Sequence, residues 1–135
     1  METLIKIQGE LKAPKGQFNK FGNYKYRSCE DILEAVKPLC IKYDALLTLS
    51  DDVVQVGNDI FVKATVAIKC DGSEKSVSAF AKHSTSQKGM SDSQITGSAS
   101  SYARKYALNG LFCIDDTKDD DTRGKGSSLK LIWHT

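Results

Sequence analysis

With 135 residues, 40% of them hydrophobic and 27% charged, the chain has the makeup of one ordinary folded domain, which excludes disorder outside its ends. A formal net charge of +2 is too small to argue by itself for a polyanionic partner, and with no apolar run near ~20 residues a membrane-spanning helix is excluded. Cys29, Cys40, Cys70 and Cys113 are widely spaced, form no C-x-x-C pair and have only His83 and His134 as imidazole partners, so they read as free thiols in a reducing, cytoplasmic compartment, with no metal site.

Residues 1–12 place Leu4, Ile7 and Leu11 at helical spacing, which predicts a short amphipathic helix ended by Ala13-Pro14. Residues 15–27, KGQFNKFGNYKYR, have no such period. They interleave Lys15, Lys20, Lys25 and Arg27 with Phe18, Phe21, Tyr24 and Tyr26, while Gly16, Gly22 and Asn23 predict a loop or hairpin. Cations that neutralise phosphates beside rings that stack on bases fit a single-strand contact. The same residues also fit a plug at a core edge with solvated lysines.

Residues 28–43 predict a helix that opens on a capping box, Ser28 with Asp31, and buries Cys29, Ile32, Leu33, Val36, Leu39, Cys40 and Tyr43. Pro38 has no N–H for the Glu34 carbonyl, so a bend or early end is expected there. From Ala45 the period changes to two. Residues 45–50 and 53–56 read as short strands divided by Asp51-Asp52, and Gly57-Asn58-Asp59 as a turn. Residues 60–69 and 74–83 then form a hairpin around Asp71-Gly72, a favoured two-residue turn. Pairing Cys70 with Ser73 collects Ile60, Val62, Ala64, Val66, Val77, Ala79 and Ala81 on one apolar face, ready to receive helices. Phe61, Lys63, Thr65, Lys69, Ser76, Ser78, Phe80 and Lys82 fall on the other, either a ligand platform or an ordinary exterior. Lys63 and Lys82, with His83 at the strand end and Lys88 in the polar linker 83–93, are candidate cationic contacts.

Residues 94–121 place Ile95, Ala99, Tyr102, Ala103, Tyr106 and Gly110 on one helical stripe, with Arg104 opposite and Lys105 on a flank. This predicts a docking helix with a basic outer surface, closed by the aspartate-rich 115–121. Residues 122–135 read as a Gly- and Ser-containing tail outside the fold, native or left from expression. No G-x-x-x-x-G-K-[ST] loop and no G-x-S-x-G elbow is present, and a two-metal nuclease needs carboxylates converging in a cleft, where 115–121 reads as a solvated run. The expectation is a non-enzyme without cofactor.

Two segments, YKYRSCEDILEAVKP at 24–38 and GSASSYARKYALNGLFCIDDTKDDD at 97–121, together resemble the ERF (essential recombination function) family of phage single-strand annealing proteins. The resemblance implies an α+β core over residues 1–121: an antiparallel β-sheet of about three to four strands with helices packed on one face, like that of ring-forming annealing proteins. It also implies a homo-oligomer, ring or helical arc, whose basic groove holds single-stranded DNA and the annealed duplex intermediate without ATP. Family members often add a C-terminal domain that contacts host single-strand-binding protein, a region this chain is expected to lack. Residue by residue, the resemblance assigns Tyr24, Lys25, Tyr26 and Arg27 to the DNA-facing motif and Arg104 with Lys105 to the basic side of the packing helix. Lys20, Lys63, Lys82, His83 and Lys88 rest on the residues alone. A structural or adaptor domain whose basic face binds an acidic protein partner is the alternative.

Overall fold

Alternation of apolar Val62, Ala64, Val66 and Ile68 with Lys63, Thr65 and Lys69 leaves only a strand able to put the first set inside and the second outside. That strand is the middle of the molecule. The computed structural model describes residues 1–84 and 90–114; Lys88, the acidic run 115–121 and the tail 122–135 lie outside the described residues. The elements are α1 (Glu2–Glu10), β1 (Gln17–Asn19), β2 (Tyr24–Tyr26), α2 (Cys29–Lys42), β3 (Leu46–Val56), β4 (Asp59–Cys70), β5 (Ser73–His83) and α3 (Asp92–Phe112). This is an α+β fold, with β1 and β2 as a separate two-stranded ribbon and β3-β4-β5 as a three-stranded antiparallel sheet in sequence order.

The hairpin register is the expected one, with Cys70 opposite Ser73, Phe61 opposite Lys82 and Lys63 opposite Phe80. Asp71 and Gly72 hold φ of 55° and 72°, the two positive angles that a type I′ turn requires and that match the twist of the strands. Asp51 and Asp52 do not divide the preceding strand. Pairing runs unbroken from Leu46 opposite Lys69 to Val56 opposite Asp59, because Asp51 has an ionic partner on the helix above it and Asp52 faces outward.

α3 lies on the inner face, across β4 and β5. Ala99, Ala103 and Ala107 are buried there, and their small side chains let the helix sit close to the sheet. At Gly110 the approach is close, since a Cβ would stand 3.0 Å from Val77 Cγ1. α1 and α2 pack against α3 in turn. Ile7, Ile32, Val36, Val66, Ile68, Leu108 and Phe112 are fully buried and join helices and sheet into one core. Ser28 and Asp31 form the expected capping box: Asp31 N–H donates to Ser28 Oγ at 3.1 Å and Ser28 N–H to Asp31 Oδ2 at 2.9 Å. α3 opens on a second one, Ser91 with Gln94.

Two expectations for the helices fail for physical reasons. α2 does not end early at Pro38 but runs on to Lys42; Pro38 and Glu34 are both exposed, so the carbonyl that the proline cannot bond is on the side open to solvent. α3 does not keep one packed and one open side. Its C-terminal half is enclosed by sheet and helices together, so that Lys105, Tyr106, Ala107, Leu108 and Asn109 are all buried while Tyr102 is 43% exposed. The helix stops at Phe112 because Cys113 takes the left-handed conformation, φ 56°.

α1 has no side-chain cap of its own. The β4–β5 turn supplies one: Asp71 accepts from Thr3 N–H at 2.9 Å and from Thr3 Oγ1 at 2.8 Å, and these bonds hold its carboxyl below the ordinary value. Asp71 therefore has two duties, turn residue and cap. Asp71→Asn retains a residue that tolerates positive φ and loses only the charge, whereas Asp71→Ala loses both. Thermal melts are expected to rank wild type above Asp71→Asn above Asp71→Ala; equal melting of the two variants contradicts the double duty.

Candidate functional site

The chain leaves β2 at Tyr26, passes Arg27 and turns at the Ser28 cap into α2. Beside that corner lies α3. Between them is a cleft of about 280 Å³, walled on one side by Tyr26, Arg27, Ser28, Cys29 and Glu30 and on the other by Ser98, Ser101, Tyr102 and Lys105. The second wall follows from helix geometry. Residues at i, i+3, i+4 and i+7 line up on one face, and here two serines leave the space that Tyr102 and Lys105 border. Arg27 is fixed in place, its Nε donating to the Ala13 carbonyl at 2.7 Å, and Tyr26 meets Tyr24 edge to face with centroids 6.0 Å apart.

The electrostatics of the cleft favour an anion. Lys105 is only 4% exposed, Arg27 is half-buried, and the first turn of α2 adds the positive end of its dipole. Burial, with Glu30 next, pushes the Cys29 thiol up to about 11, so it stays neutral. Two cations against the one carboxylate of Glu30 therefore set the charge. A phosphate can lie between the cations while the tyrosines offer ring faces to whatever it is attached to.

The other expected site residues are distributed more widely than one groove allows. Lys20 and Lys25 are exposed on the β1–β2 ribbon, beside Phe18 at 53% and Phe21 at 103% exposure. Lys63 and Lys82 project from the sheet face that none of the described helices covers. Lys63 Nζ stands 5.9 Å over the Phe80 ring and Lys82 Nζ lies 3.3 Å from Asp59 Oδ1. His83 turns inward, its Nε2 2.8 Å from Thr96 Oγ1 on α3. Within one subunit the sheet thus separates Lys63 and Lys82 from the cleft.

The basic outer surface expected of α3 is absent. Arg104 reaches the edge strand, where Nε and Nη2 donate to the two Asp51 carboxylate oxygens at 3.0 and 3.2 Å, and Lys105 points into the cleft. The reasons differ: Lys105 is enclosed at this end of the helix, whereas Arg104, still partly exposed, is drawn to the Asp51 carboxylate. Ser98, Ser101, Tyr102 and Glu30 were not among the expected contacts. The 98-101-102-105 spacing was the signal for the first three, since it forms a stripe that ends on a lysine.

Among the described residues no group of three or more His, Cys, Asp or Glu side chains is placed to hold a metal ion, and no described helix is long and apolar enough to cross a membrane. The model of the ERF superfamily matches residues 1–130 of the chain. The chain is also 55% identical over 119 residues to a Salmonella phage P22 protein named "Essential recombination function protein", an alignment covering 88% of this chain and 57% of that one. The chain thus spans little more than half the length of that relative. No solved structure matches it significantly.

Proposed function

Because the chain belongs to the ERF superfamily, we propose that it serves phage recombination by binding single-stranded DNA and annealing complementary strands without ATP. The observation that carries this reading is the convergence of Tyr26, Arg27 and Lys105 on one cleft, two cations and an aromatic from segments far apart in sequence. Annealing needs phosphate repulsion reduced while the pairing edges of the bases stay accessible to a second strand. A cleft that grips the backbone does this, and repeating it around a homo-oligomer lays successive segments of one strand side by side. No covalent bond changes, so the gain in rate comes from alignment and charge neutralisation. Lys20, Tyr24 and Lys25 on the ribbon extend the same contact outward.

The test is a titration of a fluorescent, unstructured oligonucleotide at several salt concentrations, with annealing of complementary strands followed in chelator and without nucleotide. Binding should weaken with salt, log K falling by roughly 0.7 for each phosphate neutralised per unit of log salt, and annealing should proceed. Absence of binding at low salt, or annealing that requires ATP, refutes the proposal. Affinity for an acidic protein together with indifference to oligonucleotide favours the adaptor reading.

A further inference from the structure

The β1–β2 ribbon ends in a side chain with no place in its own subunit. Phe21 is 103% exposed, as open as a side chain can be. The tip that carries it is nonetheless fixed. Asn19 Oδ1 accepts from Phe21 N–H at 2.9 Å and from Gly22 N–H at 3.0 Å, Asn19 Nδ2 donates to Tyr24 Oη at 3.0 Å, and Asn23 takes a positive φ of 53°. Gly22 cannot be replaced without moving the Tyr24 ring, 2.2 Å from where a Cβ would stand. Local bonds thus hold a phenylalanine out in water, which costs rather than contributes stability in an isolated subunit.

A matching concavity exists on the same chain. A cleft of about 470 Å³ opens between the end of α1 and the end of α3, lined by the apolar Leu11, Ala13, Pro14, Phe112 and Ile114 together with Cys113 and the cations Lys12 and Arg27. It is large enough for a benzyl group, apolar on most sides, and provides a guanidinium suited to a ring face. Phe21 cannot fill the cleft of its own subunit. That cleft lies at the base of the ribbon, and the extended arm, at ~3.3 Å per residue, carries the tip about 15 Å away.

We infer that Phe21 of one copy inserts into the Leu11–Phe112–Ile114 cleft of the next, so that identical subunits join head to tail. Such a contact uses two different patches of one surface, and repetition closes into a ring or continues as a helical filament. It also reaches the nucleic-acid site, because Arg27 lines both clefts. A neighbour's ring seated against Arg27 fixes the guanidinium that borders the other cleft, coupling assembly to grip on the strand.

Sedimentation velocity of the full chain tests this with two variants that break opposite halves of the joint. Phe21→Ser removes the knob. Ala13→Trp fills the hole and leaves the Ala13 carbonyl bonded to Arg27; Pro14→Asp replaces it if the tryptophan lowers the melting temperature. Each variant alone is expected to sediment as a monomer, its self-association weakened about ten- to a hundredfold, the worth of burying one phenylalanine. Mixed one to one, they should form a heterodimer and nothing larger, because only one good knob and one good hole remain. A wild-type monomer, wild-type-sized assemblies of either variant, or a mixture that stays monomeric overturns the inference. So does Phe21→Ser that assembles normally but loses oligonucleotide binding, which makes the ring a base contact. The inference stands apart from the DNA reading: assembly through Phe21 without any oligonucleotide affinity defeats only the latter.

Discussion

Arg27→Gln combined with Lys105→Met is expected to lower affinity for an unstructured oligonucleotide by about a hundredfold or more at moderate salt. The two side chains face one cleft from α3 and from the corner before α2. Hydrogen bonds from a charged donor contribute roughly 1.5–3 kcal/mol each, which is about ten- to a hundredfold per contact. The salt slope should flatten by about 1.4, the share of two phosphates on a single strand. Methionine is the choice at position 105 because the site is buried and a linear apolar chain fills the space the lysine stem leaves. Melting curves of the variant check that the fold survives. Arg27→Lys alone should recover only part of the loss, since an ammonium keeps the charge and not the planar fork. Lys63→Gln with Lys82→Gln provides the counter-test on the opposite face of the sheet. If that pair loses as much affinity while the cleft pair loses none, the strand lies on the uncovered sheet face and the cleft is not its site.

The sheet was readable from sequence for a reason that the cleft was not. In the β4–β5 hairpin, a two-residue Asp71-Gly72 turn fixes the register, and a one-residue slip turns Val62, Ala64 and Val66 out to water, so local chemistry and burial agree on one pairing. The Ser28 cap was readable on the same terms, because both of its partners lie within one turn. The cleft depends on which side of α3 meets the corner before α2, and the apolar periodicity of α3 does not contain that information: its last turns are buried on several sides. Lys105 therefore looked like a flank residue although it borders the site. Asp51-Asp52 looked like a break because isolated aspartates disfavour strands, and the partner that keeps Asp51 in the strand is 53 residues away. Tyr26 and Arg27, which line the cleft, could be singled out as candidates because their chemistry, a cation beside a ring, is specific even when their position is not.

That distant partner gives Asp51 a structural task that its place in the sequence does not show. It sits on the inner face of the edge strand β3, opposite Ala64, accepting from Arg104 Nε and Nη2 at 3.0 and 3.2 Å and from Ser100 Oγ. One side chain thus ties the sheet edge to two turns of α3. Partial burial pushes the Asp51 carboxyl upward, but the bonds from Arg104 and Ser100 outweigh it and hold the carboxyl below its ordinary 3.8. A carboxyl depressed in the folded state stabilises fully above its unfolded value and ceases to do so as pH falls through the lowered one. Asp31, held low by Ser28 against its own burial, and Asp71 have the same sign, so acid should remove all three contributions below about pH 4. Asp51→Asn keeps the volume and loses the charge. At neutral pH it is expected to cost about 1–2 kcal/mol, or roughly 3–8 °C in melting temperature, and the gap to wild type should close as pH is lowered below 3.8. Arg104→Met should cost a similar amount, and the double variant little more than either, since the second change removes a partner already lost. A gap that persists unchanged at pH 3, or costs that add in full, shows that the Asp51–Arg104 pair does not hold this edge.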